Sequence, residues 1–235
     1  MKIPVVRGII DRRILVNYTV DPEVVKKLLP APFRPKLYNG KAIVGICLIR
    51  LKQIRPKGLP AWLGIGSENG AHRIAVEWTE NDELKEGVFV PRRDTSSCFN
   101  AAFGGRLFPG RHHQAKYHVT EADDHYQIAF KSDDDTTISI EATLAETYDT
   151  NSIFKTLSNA SGFFEGGAVG FSPKGSYFEG LELKTFNWHV QPLSIKSVQS
   201  SFFEDERNFP IGSIQFDNAL LMTNMEHEWH SAGNK

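Results

Sequence analysis

Residues 112–146 read "HHQAKYHVTEADDHYQIAFKSDDDTTISIEATLAE". Three runs rich in β-branched and aromatic residues, "HHQAKYHVT", "DHYQIAFKS" and "TTISIEATLAE", are set apart by the polar clusters "EADD" and "DDD". β-favouring runs bounded by Asp-rich turns predict successive strands of a meander. "RRILVNYTV" (12–20) and "KAIVGICLIRLKQI" (41–54) predict further strands, the second apolar enough to be covered on both faces over part of its length. "HRIAVEWTE" and "GVFVPRR" flank the polar "NDELKE" and predict a hairpin. "LELKTFNWHVQPLSIKSVQSSFF" and "GSIQFDNALLMTNMEHEW" are again largely strand.

Helices are few. "DPEVVKKLL" (21–29) has Asp21 as N-cap, Pro22 at the first helical position and Glu23 in the first turn, and the prolines of "PAPFRP" stop it. "NSIFKTLSNAS" (151–161) predicts a second helix, capped by Thr150 or Asn151. No repeat, low-complexity tract or linker divides the chain. The expectation is one α+β, mainly β domain over residues 1–235: an antiparallel sheet curled into a barrel or sandwich, with helices at its ends.

The bulk chemistry narrows the function. Lys+Arg 27 against Asp+Glu 28 leaves a formal charge of −1, and no basic block suggests nucleic acid or an anionic membrane as partner. The N-terminal "MKIPVVRGIIDRR" lacks a signal-peptide core, and no apolar stretch is long enough to span a bilayer. Two cysteines are too few for a disulfide framework and fit a reducing cytoplasm. Cys47, inside an apolar run, reads as a buried small hydrophobe, and Cys98 follows "DTSS" at an expected helix start.

Three stretches carry a resemblance. "YTVDPEVVKKLLPAPFRP" (18–35) resembles the opening of the acetoacetate-decarboxylase-like superfamily, and "GIGSENGAHRIAV" (64–76) is similar to its Glu-x-Gly segment and the strand that follows. "SSFFEDERNFPIGSIQFDNALLMTNMEHEW" (200–229) resembles an uncharacterised YqjF-like bacterial branch. The resemblance implies a cone-like β-barrel with flanking helices and a homo-oligomer. It also implies a lysine that forms a Schiff base with a β-keto acid, a second lysine that depresses its pKa, an arginine that holds the carboxylate, and a glutamate in the pocket. The glutamate falls on Glu68. The arginine's place falls on Asp11, next to Arg12 and Arg13; Arg13 shares that place's strand face, whereas Arg12 sides with Ile14, Val16 and Tyr18. The lysine pair falls on Gly110 and Arg111, so the nucleophile that names the family is absent.

"FPGRHHQAK" (108–116) must therefore be read from its own residues. On a strand, Lys116 lies with His112, Gln114 and His118 on the solvent face, a poor setting for an amine nucleophile. Arg111 and His113 share the other face with Ala115, Tyr117 and Val119. There Arg111 could clamp a carboxylate and His113, with Glu68, could transfer protons. No familiar zinc spacing occurs among His112, His113, His118, His227 and His230, and neither metal nor cofactor is expected. "GGAVGFSPKG" lacks a Gly-Lys-Ser/Thr ending and reads as a flexible pocket-edge loop rather than a phosphate cradle. Two functions remain open on one scaffold. The first is a pocket for a carboxylate- or carbonyl-bearing metabolite, with Arg12, Arg13 and Arg111 as binding residues and Glu68, His113 and Arg111 as lyase- or enolisation-type acid/base groups. The second is a non-catalytic metabolite-binding or sensing protein.

Overall fold

The computed structural model describes residues 4–97, 110 and 112–235. Its strands are β1 Val6–Val20, β2 Arg34–Pro35, β3 Leu37–Tyr38, β4 Lys41–Pro56, β5 Ile65–Glu80, β6 Glu83–Thr95 and β7 His112–Ala122. They continue as β8 His125–Ser132, β9 Thr137–Leu144, β10 Val169–Lys174, β11 Tyr177–Thr185, β12 Gln191–Ser200 and β13 Ile214–Asn234. Two α-helices, α1 Pro22–Leu28 and α2 Leu157–Glu165, and a 3-10 turn at Ala61–Leu63 complete the described elements. No helix among the described residues is long and apolar enough to cross a membrane.

Local chemistry sets the turns. Asp21 caps α1 by accepting a hydrogen bond from the Glu23 amide at 2.9 Å. The β5–β6 connection contracts from the expected six polar residues to Asn81 and Asp82, both in the left-handed region (φ 51° and 63°), as tight hairpin turns with right-handed twist require. Asp123 and Asp124 (φ 48° and 64°) do the same between β7 and β8. Strands β7, β8 and β9 follow one another antiparallel, as the Asp-rich spacing predicts.

The sheet is mixed, and its hydrogen-bonded path closes twice. One circuit runs β13-β1-β4-β5-β6-β7-β8-β9-β12 and back to β13; the other leaves β6 for β10, passes to β11 and returns to β13. β6 and β13 are the forks. Residues Gly170 and Phe171 of β10 pair parallel to Val88 and Phe89 of β6, whereas Arg93–Thr95 pair parallel to His112–Gln114 of β7. In β13, Ala219–Leu221 pair with β12, while His227–Asn234 pair with β11. β1, β4 and β5 complete the common wall between the forks, and both of its faces are buried. Ile14, Val16, Ile46 and Leu48 face the larger chamber, with Leu15, Cys47, Ala71 and Met225 on the smaller one. Residues Ala42–Leu48 of β4 are buried without interruption, which explains their unbroken apolar run.

The second helix differs from expectation. It starts at Leu157 with Thr156 as N-cap, its hydroxyl accepting from the Asn159 amide at 3.2 Å. The preceding residues are held in turns because Asp217 accepts from the Ser152 hydroxyl (2.7 Å) and the Ile153 amide (2.8 Å). Lys155 then takes a left-handed conformation (φ 65°) that a helix cannot include. The helix lies over one end of the smaller chamber. Phe154 is fully buried there, with its ring centroid 4.4 Å from Tyr38, 5.2 Å from Phe163 and 5.5 Å from Phe164. Phe154→Ala is expected to cost about 3–5 kcal/mol by opening a cavity in this cluster, readable as a lower urea midpoint at unchanged slope.

Candidate functional site

The smaller circuit is not filled. Each of its strands contributes to the wall of one pocket: Arg13 from β1, Cys47 from β4, Arg73 from β5, Arg93 from β6, Gly170 from β10, Leu181 and Leu183 from β11, and Trp229 from β13. Gly167 and Ala168, from the glycine-rich passage, form its edge, and the space measures about 640 Å³ with its open mouth included. Smaller spaces that share lining residues with it reach Lys36, Phe163 and Phe164 on one side and Asn69, Asp94 and His112 on the other.

Three guanidiniums face this lumen. Arg73, only 4% exposed, donates from Nε to Cys47 Sγ at 3.2 Å and from Nη2 to Asn17 Oδ1. Arg13 donates from Nη2 to the same sulfur at 3.6 Å, and Arg93 from Nη2 to Ser172 Oγ at 3.3 Å. Nε of Arg13 and Nε of Arg93 are buried without a hydrogen-bond partner. Among the described residues no carboxylate pairs with any of the three. Burial lowers Arg73 and pushes Arg93 down to about 10, and the counter-charge nearest both is Cys47. The Cys47 thiol is pushed up by burial, but the charges and hydrogen bonds of Arg13 and Arg73 more than offset this and leave it below an ordinary thiol. The lumen is thus cationic, and among the described residues no carboxylate meets its arginines; the Cys47 sulfur is the counter-group beside them.

The residues singled out in the sequence do not converge. Arg12 and Arg13 are adjacent on β1 and so point to opposite sides of the common wall. Arg12, 2% exposed, pairs with Glu68 at 2.6 Å and with Glu121; Arg50 pairs with the same two carboxylates at 2.6 and 2.9 Å. Glu68 is therefore engaged by two guanidiniums away from the lumen. His113 lies 3.3 Å from Asp133 and 3.5 Å from Asp134, and Arg92 holds Asp134 through two hydrogen bonds of 2.6 and 2.8 Å. Lys116 is exposed, with Ala115, Tyr117 and Val119 against the larger core, as strand alternation requires. Arg111 and Cys98 lie outside the described residues. Gly110 does not: its φ is +93°, and a Cβ there would stand 2.7 Å from Ser172 Cβ, beside Arg93. A lysine at this place would be strained and crowded.

The ligand atoms of His113, Asp133 and Asp134 lie within 4.8 Å of one another, but Arg92 already neutralises Asp134. His227 is fully buried, whereas His230 pairs with Glu228 at 3.0 Å, so strand alternation keeps the two apart. Sequence reasoning missed Arg73, Arg93 and the chemistry of Cys47. One signal was available: Arg73 sits between Ala71 and Ala75, an arginine on a face of small residues that leave space around it.

Two buried imidazoles make stability depend on pH. Burial pushes His72 down to about 3 and His227 down to about 4. In the unfolded chain both titrate near ~6.5, so between these values the unfolded state binds the extra protons. The stability they lend is complete above pH ~6.5 and is lost as pH falls toward the folded values. Urea midpoints measured from pH 7 to pH 5 should therefore decrease, and His72→Gln should reduce the slope. An unchanged slope in that variant would show that His72 is not the group being protonated.

No curated protein sequence matches the chain. In structure it is similar to an acetoacetate decarboxylase-like enzyme from Sphingomonas wittichii RW1, with TM-score 0.61 and 11% identity over 100% of this chain and 93% of that one. It is similar as well to acetoacetate decarboxylase from Legionella pneumophila, with TM-score 0.61 and 13% identity over 97% and 87% of the two chains. A third neighbour is the enduracididine biosynthesis enzyme MppR, solved with the condensation product of pyruvate and imidazole 4-carboxaldehyde. It gives TM-score 0.60 and 10% identity over 100% and 89%. At such identities the likeness establishes the fold and not the chemistry. In sequence, residues 10–209 match the model of DUF2071, described as an uncharacterized conserved protein (COG2071). The chain, with an acetoacetate decarboxylase-like fold and a lumen lined by three arginines, belongs to the DUF2071 family.

Proposed function

We propose that the protein binds a small metabolite bearing a carboxylate, with a carbonyl beside it, in the lumen of the smaller circuit. One observation carries this reading: Arg13, Arg73 and Arg93 converge on a cavity in which, among the described residues, no carboxylate meets them. Buried guanidiniums are costly unless an anion compensates them, and the fork of an arginine matches the two oxygens of a carboxylate. Leu181, Leu183 and Trp229 supply an apolar wall for the rest of a small ligand. That a neighbour of the same fold was solved with pyruvate is consistent with a ligand of this size.

Arg13 takes the role assigned to an arginine of the first strand, and Arg73 and Arg93 join it. Glu68 and His113, the groups first considered for proton transfer, stand outside the lumen in ion pairs of their own. Their positions favour reversible binding or sensing over acid/base turnover by that pair.

A charge-assisted hydrogen bond is worth about 1.5–3 kcal/mol, so Arg13→Gln should weaken binding of pyruvate roughly 10- to 100-fold. Calorimetric titration reads this, with circular dichroism to show that the variant remains folded. Pyruvate should raise the melting temperature where its amide does not; equal effects would remove the case for an anion site. Borohydride reduction with acetoacetate or pyruvate should leave no adduct on any lysine, Lys116 included, as judged by peptide mapping.

A further inference from the structure

We propose that Cys47 is a nucleophile of this lumen, directed by the bound carboxylate onto the carbonyl carbon next to it, as in a 2-oxo acid or an aldehyde acid. The inference rests on the anion-binding reading and goes beyond it. Cys47 is 3% exposed and resembles a small core residue, yet it is part of the cavity lining and its sulfur accepts hydrogen bonds from Arg73 and Arg13. A cysteine that serves only as packing does not draw two guanidiniums to its sulfur. The remaining cation, Arg93, faces the same space and meets no carboxylate.

A second observation comes from β1 and β6. Nε of Arg13 and Nε of Arg93, on two side chains of the cavity wall, are buried without a hydrogen-bond partner among the described residues. A polar group left unsatisfied beside a cationic cavity marks a place where a ligand or water belongs.

The chemistry balances without an oxidant. The Cys47 proton leaves to solvent, and the thiolate attacks the carbonyl carbon. One C–S bond forms as the C=O π pair moves to oxygen. That oxygen, beside the guanidiniums, takes a proton from water to give a thiohemiacetal. The reverse path releases the ligand unchanged.

The test is affinity alkylation of the native protein with iodoacetate and, separately, with neutral iodoacetamide, followed by peptide mapping that resolves Cys47 from Cys98. Ordinary thiols react faster with iodoacetamide. At Cys47 iodoacetate should be faster by about tenfold, a factor worth ~1.4 kcal/mol of attraction. Pyruvate should protect, and the advantage should collapse in Arg13→Gln. Carbon-13 glyoxylate should then give a signal for a sulfur-bearing tetrahedral carbon that Cys47→Ser lacks. Cys47 inert to both reagents, while pyruvate still stabilises the protein, would overturn the nucleophile and leave the anion site standing. Cys47 alkylated faster by iodoacetamide, with no stabilisation by pyruvate, would overturn both.

Discussion

The wall of β13, β1, β4, β5 and β6 belongs to two closed circuits at once, and the rest of the molecule is arranged around that constraint. A strand alternates its side chains between two faces, and here neither face meets bulk water along the middle of the wall. Each residue of β1 or β4 is therefore committed to one chamber or the other. The larger chamber is packed by Ile14, Val16, Ile46, Leu48 and the aromatic rings behind them. The smaller one carries a narrower apolar lining, and α2 with Phe154 covers one end of it. Because β6 and β13 each divide their pairing between two partners, the small chamber stays open between its walls instead of collapsing into a sandwich.

The same alternation divides the charges. Arg12 and Arg13 are neighbours in sequence, but one is neutralised by Glu68 and Glu121, whereas the other faces a thiol, two further arginines and a cavity. A buried ion pair with its hydrogen bonds in place needs nothing else. A cluster of cations that meets no carboxylate among the described residues is left uncompensated, and this difference underlies the proposal that the lumen binds an anion. Glu68 belongs to the first class although the resemblance to acetoacetate decarboxylases placed it in a pocket.

The chain has Gly110 and Arg111 at the places where the resemblance implies lysines. At Gly110 the backbone is left-handed and tight against Ser172, so a side chain there would be strained and would press on the Ser172 side chain. Arg13, Arg73 and Arg93 stand on the common wall, with Cys47 between the first two.

Much of the fold was legible in the sequence because it is written in short-range terms. Strand period, Asp-rich turns and the Asp21–Pro22 helix start each depend on a few adjacent residues, and the helix placed at 151 rather than 157 failed where a distant residue, Asp217, intervened. The face of Arg13 against that of Arg12, and the exposure of Lys116, followed from strand parity alone. What parity cannot say is which faces meet across the sheet. Arg73 and Arg93 are separated from Arg13 by 60 and 80 positions (73 − 13 and 93 − 13); the pairing of β1, β4, β5 and β6 brings them side by side, and closure through β10 and β11 onto β13 encloses the space they line. The sequence by itself determined most strands, the Asp-rich turns of the β7–β9 meander and the opposite faces of Arg12 and Arg13, but not the length of the β5–β6 turn or the burial of the His112 ring. The tertiary structure alone decided which charges are paired and which are left facing a cavity, since pairing depends on distances set by how the sheet closes.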